Sequence, residues 1–280
     1  MRTLGSAFFA LFALVLGALA LPGAWVDANL VAEDGFIELA SPLASNPQFT
    51  EALTTALAEE TTAGVGLPDG LNEIVAPVIT EVAGQITGLP EFNQAWDESL
   101  RRSHALTFAD PRSLPAEADS SSSLTLDIAP VVGLSLQAVG DQLGVEVPQP
   151  EQTLINIGQS NQRALLDRLE TAASLWPAMA VAAAVGAVLS LLFARRRSTT
   201  LALLGVGIVV IGAAYWFLAG LAPGVVERTP DADAVAAVFK DGLTGRAVDS
   251  IQPYCLAVAA AGVILLVGGI AGRLLSGPRR

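Results

Sequence analysis

The stretch LPEFNQAWDESLRRSHALTFAD, residues 89 to 110, gathers the chain's only histidine, His104, with Trp96, Arg101, Arg102, Ser103 and the carboxylates Glu91, Asp97, Glu98 and Asp110. Hydroxyl, imidazole and carboxylate are the parts of a nucleophilic hydrolase, in which the imidazole takes the hydroxyl proton and the acid orients the imidazole. The spacing speaks against that use. Neighbours on a helix point about 100° apart, so Ser103 and His104 diverge instead of forming a dyad. Asp97 lies seven residues before His104 and Asp110 six after it. A GxSxG nucleophile elbow is missing too, since GLSLQ at Gly133 lacks the closing glycine. The preferred reading of His104 is therefore a capping, hydrogen-bonding or interface residue. Trp96 and His104 stand as candidate functional or interface positions, and no residue is assigned a catalytic role.

Metal and cofactor chemistry find no foothold in the spacing of ligands. The sequence contains no HExxH, CxxC or EF-hand pattern, and neither a P-loop nor a Gly-rich dinucleotide turn. Its many carboxylates are dispersed, as on a solvated surface. The expectation is a protein with no cofactor and no metal. The single cysteine, Cys255, cannot close an internal disulfide and reads as a small residue facing lipid or a neighbouring helix.

The elements that must position these residues belong to a membrane protein. The chain is 52% hydrophobic, only 15% charged, and has a mean hydropathy of +0.54, too apolar for an ordinary soluble domain of its length. Four charge-free apolar runs occur, Thr3 to Val26, Thr171 to Ala194, Ser198 to Val226 and Ser250 to Gly272. Each holds the roughly 18 to 20 residues that a helix needs to cross about 30 Å of hydrocarbon. The domain plan is a first span over 1–22, an extracytoplasmic domain over 23–174, a second span over 175–194 and a cytoplasmic loop over 195–200. A third span over 201–221, a second outer segment over 222–252, a fourth span over 253–273 and a tail over 274–280 complete it. The first run also has the small-x-small pattern Ala18-Leu19-Ala20 of a cleavable signal, but its apolar core is as long as a full span, so a retained signal anchor is expected.

Arginines set the orientation. Arg195, Arg196 and Arg197 follow the second run, Arg2 precedes the first, and Arg273, Arg279 and Arg280 follow the last; positively charged flanks stay cytoplasmic. With both termini inside, the outer segments hold all 27 acidic residues and 8 of the 15 basic ones, a net −19 against +7 on the cytoplasmic side, which together return the chain's −12. So acidic an exterior, with a pI near 4.4, excludes nucleic acid as a partner, because such binding needs cationic side chains to displace counterions.

Within the spans no Asp, Glu, Lys, Arg or His occupies a core position, which disfavours a pump or coupled carrier. Small residues recur at four-residue spacing instead: Ala178, Ala182, Gly186 and Ser190, then Gly268 and Gly272, and Ala13 with Gly17. Such stripes let helices approach closely, within one bundle or against a partner. Trp176, Tyr215, Trp216 and Tyr254 fall toward span ends, in belt positions.

The outer domain reads as helical with one small β element. Ser45 or Asn46 caps a helix that begins with Pro47 and carries Phe49, Ala52, Leu53, Ala56 and Leu57 on one face. A second helix is expected over GLNEIVAPVITEVAGQI, bent at Pro77. A third starts at Pro90, with Phe92, Ala95, Trp96, Ser99 and Leu100 turned to a core and with Asp97–Arg101 and Glu98–Arg102 as i, i+4 ion pairs. After a polar loop, LTLDI alternates as a strand, Pro130 to Leu143 is a helix, and Thr153 to Ile157 is a second strand, suggesting a two-stranded element with a crossover. From Gln159 a helix is expected to run unbroken into the second span. A short amphipathic helix with Val235, Val238 and Phe239 either packs on the larger domain or lies at the membrane surface.

These features resemble the uncharacterised four-span integral membrane proteins common in actinobacteria. The likeness rests on Phe36 with SPLASNP after the first span, on LP-x-F-x3-W with His104 eight residues past Trp96, on LTLDI, and on the arginines after the second span. It implies a four-span fold with a helical extracytoplasmic domain and no assigned reaction. The expected protein is non-enzymatic and sits in the plasma membrane, as an interaction or accessory component of a cell-envelope or membrane complex. Its expected partners are the lipid bilayer and a membrane or envelope protein, and it is open to homo-oligomerisation. A lipid-handling or transport-related role is the alternative, and an extracytoplasmic hydrolase the second alternative.

Overall fold

A computed structural model of the chain describes residues 2–65, 81, 84–108, 124–144, 146–157, 163–228 and 234–275. Its elements in chain order are α1 (Arg2–Val26), a π-helical turn (Asp27–Val31), α2 (Glu33–Ala40), a 3-10 turn (Ser41–Ser45), α3 (Pro47–Val65), a 3-10 turn (Ile86–Gly88) and α4 (Phe92–Phe108). There follow β1 (Thr125–Asp127), α5 (Ala129–Leu143), β2 (Leu154–Asn156), α6 (Arg163–Ser174), α7 (Trp176–Phe193), α8 (Arg197–Val226) and α9 (Ala234–Leu275). The chain divides into two units, one of Met1–Ala28, Arg168–Gly224 and Ala247–Arg280, the other of Asn29–Asp167 and Val225–Arg246. Of the helix expected over GLNEIVAPVITEVAGQI, residues 70–80, 82 and 83 lie outside the described residues, as does the polar loop over 111–123, while Glu81, Gly84 and Gln85 are helical.

The first unit is a bundle built from four helices long and apolar enough to cross a membrane, within Thr3–Val31, Trp176–Phe193, Arg197–Val226 and Ala234–Leu275. The protein is thus a multi-pass membrane protein. In lipid, apolar surface gives helices no reason to associate, so contact depends on close packing and on a few polar bonds. Both are present. On α7, Gly186 faces α1 so closely that an added Cβ would lie 3.2 Å from the Phe12 ring and 3.3 Å from the Phe9 carbonyl. Ser6 donates its hydroxyl to the Ser190 carbonyl at 2.8 Å, and Tyr215 on α8 donates to the Ala18 carbonyl at 3.0 Å. At the other end of α1, the Trp176 indole N–H reaches Asp27 Oδ2 at 3.0 Å and that of Trp25 reaches Ser250 Oγ at 3.1 Å.

Helices α8 and α9 meet through glycine. A Cβ on Gly205 would lie 2.5 Å from Leu266 N, one on Gly212 2.7 Å from the Cys255 carbonyl, one on Gly262 2.7 Å from Val209 N and one on Gly269 2.5 Å from Ala202 N. The two pairs are each spaced seven residues apart, about two helical turns, so they recur on one face of each helix. Backbone meets backbone there, and Cys255 is fully buried in that contact, facing a helix.

The helix expected to enter the second span without interruption is broken. α6 ends at Ser174, Leu175 is a turn, and α7 starts at Trp176 with Pro177 in its first turn, where the missing N–H costs no hydrogen bond. Conversely, the short helix carrying Phe239 and the fourth span are one element, since α9 continues through Pro253.

The described residues of the second unit share one core. Asn46 caps α3, its Oδ1 accepting the N–H of Gln48 at 2.9 Å and of Phe49 at 3.3 Å. Phe49, Leu53 and Leu57 are then completely buried, one per helical turn. They join Phe92, Trp96 and Leu100 of α4, Leu126, Ile128 and Leu136, and Val235 and Phe239 of α9. The segment around Phe239 therefore packs into this core, the first of the two placements open to it. Burying one such side chain contributes about 1.5–3 kcal/mol.

β1 and β2 pair antiparallel, Thr125 opposite Asn156, Leu126 opposite Ile155 and Asp127 opposite Leu154, so no crossover forms. Chain lengths explain the reversal. The 15 residues of α5 carry the chain about 22 Å out, Gly144 turns it in the left-handed conformation (φ 68°), and residues 146–153, in neither helix nor strand, lead back to β2. β2 consequently starts beside the end of β1.

Candidate functional site

The hydrolase-like residue types do converge in the second unit, around the C-terminal half of α4. Its amphipathic pattern buries Ser99, Ser103, His104 and Thr107 on the face that continues from Phe92 and Trp96. Asp127, at the end of β1, is 2% exposed. Ser103, His104 and Asp127 thus share one buried neighbourhood, and the question becomes what each side chain touches.

Each touches backbone. The His104 imidazole places Nε2 2.9 Å from the Val31 carbonyl and 3.2 Å from the Leu30 carbonyl, and since both are acceptors Nε2 carries the hydrogen. Those carbonyls belong to the π-helical turn, where the regular i to i−4 ladder fails and oxygens need outside donors. The ring is lined by Phe36 and Phe108, with centroids 5.5 and 4.6 Å away. The Ser103 hydroxyl donates to the Ser99 carbonyl and accepts the N–H of Asp127 at 2.8 Å. Asp127 Oδ1 accepts from Ala129 N and Thr153 N, both at 3.0 Å, and so fastens the start of α5 and the approach to β2. Thr107 donates to the Ser103 carbonyl. Hydroxyl, imidazole and carboxylate are brought near one another without being aimed at one another.

Trp96 is fully buried between Phe49 and Phe239, with ring centroids 5.0 and 6.2 Å away, and its indole N–H points at the Ala40 carbonyl at 3.4 Å. That places it inside the core and not on a surface open to a partner. The charged side of α4 differs in detail from its expected pairing. Glu98 takes both arginines, Arg101 and, at 3.2 Å, Arg102. Asp97, half-buried, instead accepts the hydroxyl of Ser41, because it faces the 3-10 turn and not the next turn of its own helix. Partial burial acts to raise the Glu98 pKa, but hydrogen bonds from Arg102 and Arg101 and their charge outweigh it, holding the carboxyl below its ordinary value.

Among the described residues no group of three or more His, Cys, Asp or Glu is arranged to hold a metal ion. In the bundle, Gly186 and Ser190 are buried, Ala182 is half-buried and Ala178 is exposed. Gly272 has Ser198 Cβ 3.7 Å from its would-be Cβ, whereas Gly268 and Gly17 look into open space. The positions tightest against a neighbouring backbone, Gly205, Gly212, Gly262 and Gly269, were not singled out by the four-residue spacing; their signal in the sequence is the seven-residue repeat. Arg195 and Arg196 lie exposed in the short link between α7 and α8, and Arg197, also exposed, is the first residue of α8.

No protein family, curated protein or solved structure matches the chain.

Proposed function

We propose that this multi-pass membrane protein is a non-enzymatic accessory component of a bacterial envelope or membrane complex, anchored by its bundle and presenting the second unit outside the cytoplasm. The observation that carries the reading is the use made of the buried polar groups. Ser103, His104 and Asp127 each hold backbone at a junction between elements, so they act as fasteners of a rigid interaction module. The arginine distribution supports the orientation, with Arg195 to Arg197 on the cytoplasmic side. The contacts of α1 with α7 and α8 support its retention as an anchor.

The test is purification of the tagged chain from its native membrane in mild detergent, with intact-mass and quantitative proteomic analysis. A stoichiometric partner protein, together with a first span still attached, is the expected result. A chain that purifies alone, combined with His104→Gln abolishing a cellular phenotype while its thermal melt is unchanged, would replace this reading by the extracytoplasmic hydrolase. Cysteines introduced singly at Arg196 and Glu98 check the orientation: a membrane-impermeant maleimide should label only the second in intact cells.

A further inference from the structure

The bundle encloses a cavity of about 410 Å³ whose walls come from α1, α7, α8 and α9, among them Gly17, Ala183, Ala187 and Ile208. A second cavity of about 350 Å³ shares the lining residues Val188, Leu191 and Leu201 with it and is lined further by Arg197 and Ser198. Along α8 the two linings together run from Arg197 to Ile211, about 21 Å of helix. Half of a hydrocarbon core measures about 15 Å. Apart from Arg197 and Ser198 the described lining is apolar, and Arg195 and Arg196 precede Arg197 in sequence.

We infer that this groove is a lipid-binding site that takes one acyl chain of an anionic glycerophospholipid, with the phosphate-bearing headgroup held by Arg197. Three features of the space fit that occupant. Its volume lies in the range of small-molecule sites. The run of apolar lining along α8 matches the length of an alkyl chain that enters from one membrane face and passes the midplane. Among the described lining residues the charged one, Arg197, is cationic, and a guanidinium pairs with phosphate oxygens through parallel N–H donors. Small side chains create the room: Ala183 and Ala187 stand where leucines would close it. The site depends neither on the accessory role nor on which side the second unit occupies.

Full-length protein reconstituted into vesicles of equimolar phosphatidylglycerol and phosphatidylcholine, then released and weighed by native mass spectrometry, provides the test. Wild-type chain should retain about one phosphatidylglycerol, at least tenfold over phosphatidylcholine, a ratio equal to about 1.4 kcal/mol of preference. Arg197→Gln, at an exposed position outside the bundle's packing, should bring that ratio to near one. Ala187→Leu should remove the retained lipid altogether. Equal retention of both lipids by wild type, or retention unchanged in Arg197→Gln, would overturn the inference, as would a bound polypeptide displacing the lipid. The arginine variant decides the matter even if the cavity-filling one does not fold.

Discussion

His104 and Asp127 do the same kind of work: each supplies a side-chain partner to backbone groups of neighbouring segments. Asp127→Ala should strand the N–H groups of Ala129 and Thr153 and cost about 1–3 kcal/mol, whereas Asp127→Asn keeps the Oδ1 acceptor and should cost clearly less. Chemical denaturation of the two variants in detergent separates them. Glu98 makes a pH-dependent contribution whose sign follows from its lowered pKa. The stabilisation is present above the ordinary carboxyl value of 4.5 and is lost as pH falls through the depressed folded value. With its side chain about 42% exposed, solvent screening keeps the effect to a few tenths of a kcal/mol. Denaturation midpoints of wild type and Glu98→Gln should therefore converge on acidification and separate slightly near neutrality. A hydrogen-bonding role for His104 was open from the sequence, but its partners were not legible, since they are carbonyls 73 and 74 residues away and a carbonyl leaves no mark in the sequence.

Periodicity made the elements far more readable than the contacts between them. Phe49, Leu53 and Leu57 announce α3, and Phe92, Trp96 and Leu100 announce α4, because one buried face imposes a 3.6-residue rhythm. Helix α2 was missed for the opposite reason, as its eight residues are too few to display a repeat. The direction of β2 was misread because strand, helix, strand suits either sense until the length of the return path is known. Phe239 shows how an element's role is decided by its packing. It is completely buried against Phe49 and Trp96, although nearly two hundred residues separate it from the first. Phe239→Ala should destabilise the second unit by about 3–5 kcal/mol and Val238→Ala, at a half-buried position, by much less. Limited proteolysis of α3 and α4 in the two variants gives the comparison.

For the molecule as a whole, composition alone established the membrane class, since burial in lipid demands long uncharged helices whatever the function. The pairing of those helices was not legible, because in lipid it rests on what is missing from the contact and not on what is present. Gly205, Gly212, Gly262 and Gly269 illustrate this: α8 and α9 are specified by four hydrogen atoms standing where side chains would be. A saturation mutagenesis library read by surviving membrane-inserted protein should then show two kinds of position. At Trp96 tolerance should follow chemistry, with Phe and Tyr accepted ahead of polar residues. At the four glycines all nineteen replacements add at least one carbon where less than 3 Å is free, so no choice of chemistry helps. Every amino-acid change that a single nucleotide can make in those codons is of this kind. The α8–α9 seam leaves evolution no neighbouring sequence to drift into, while the lipid-facing surfaces of the same two helices remain free to change.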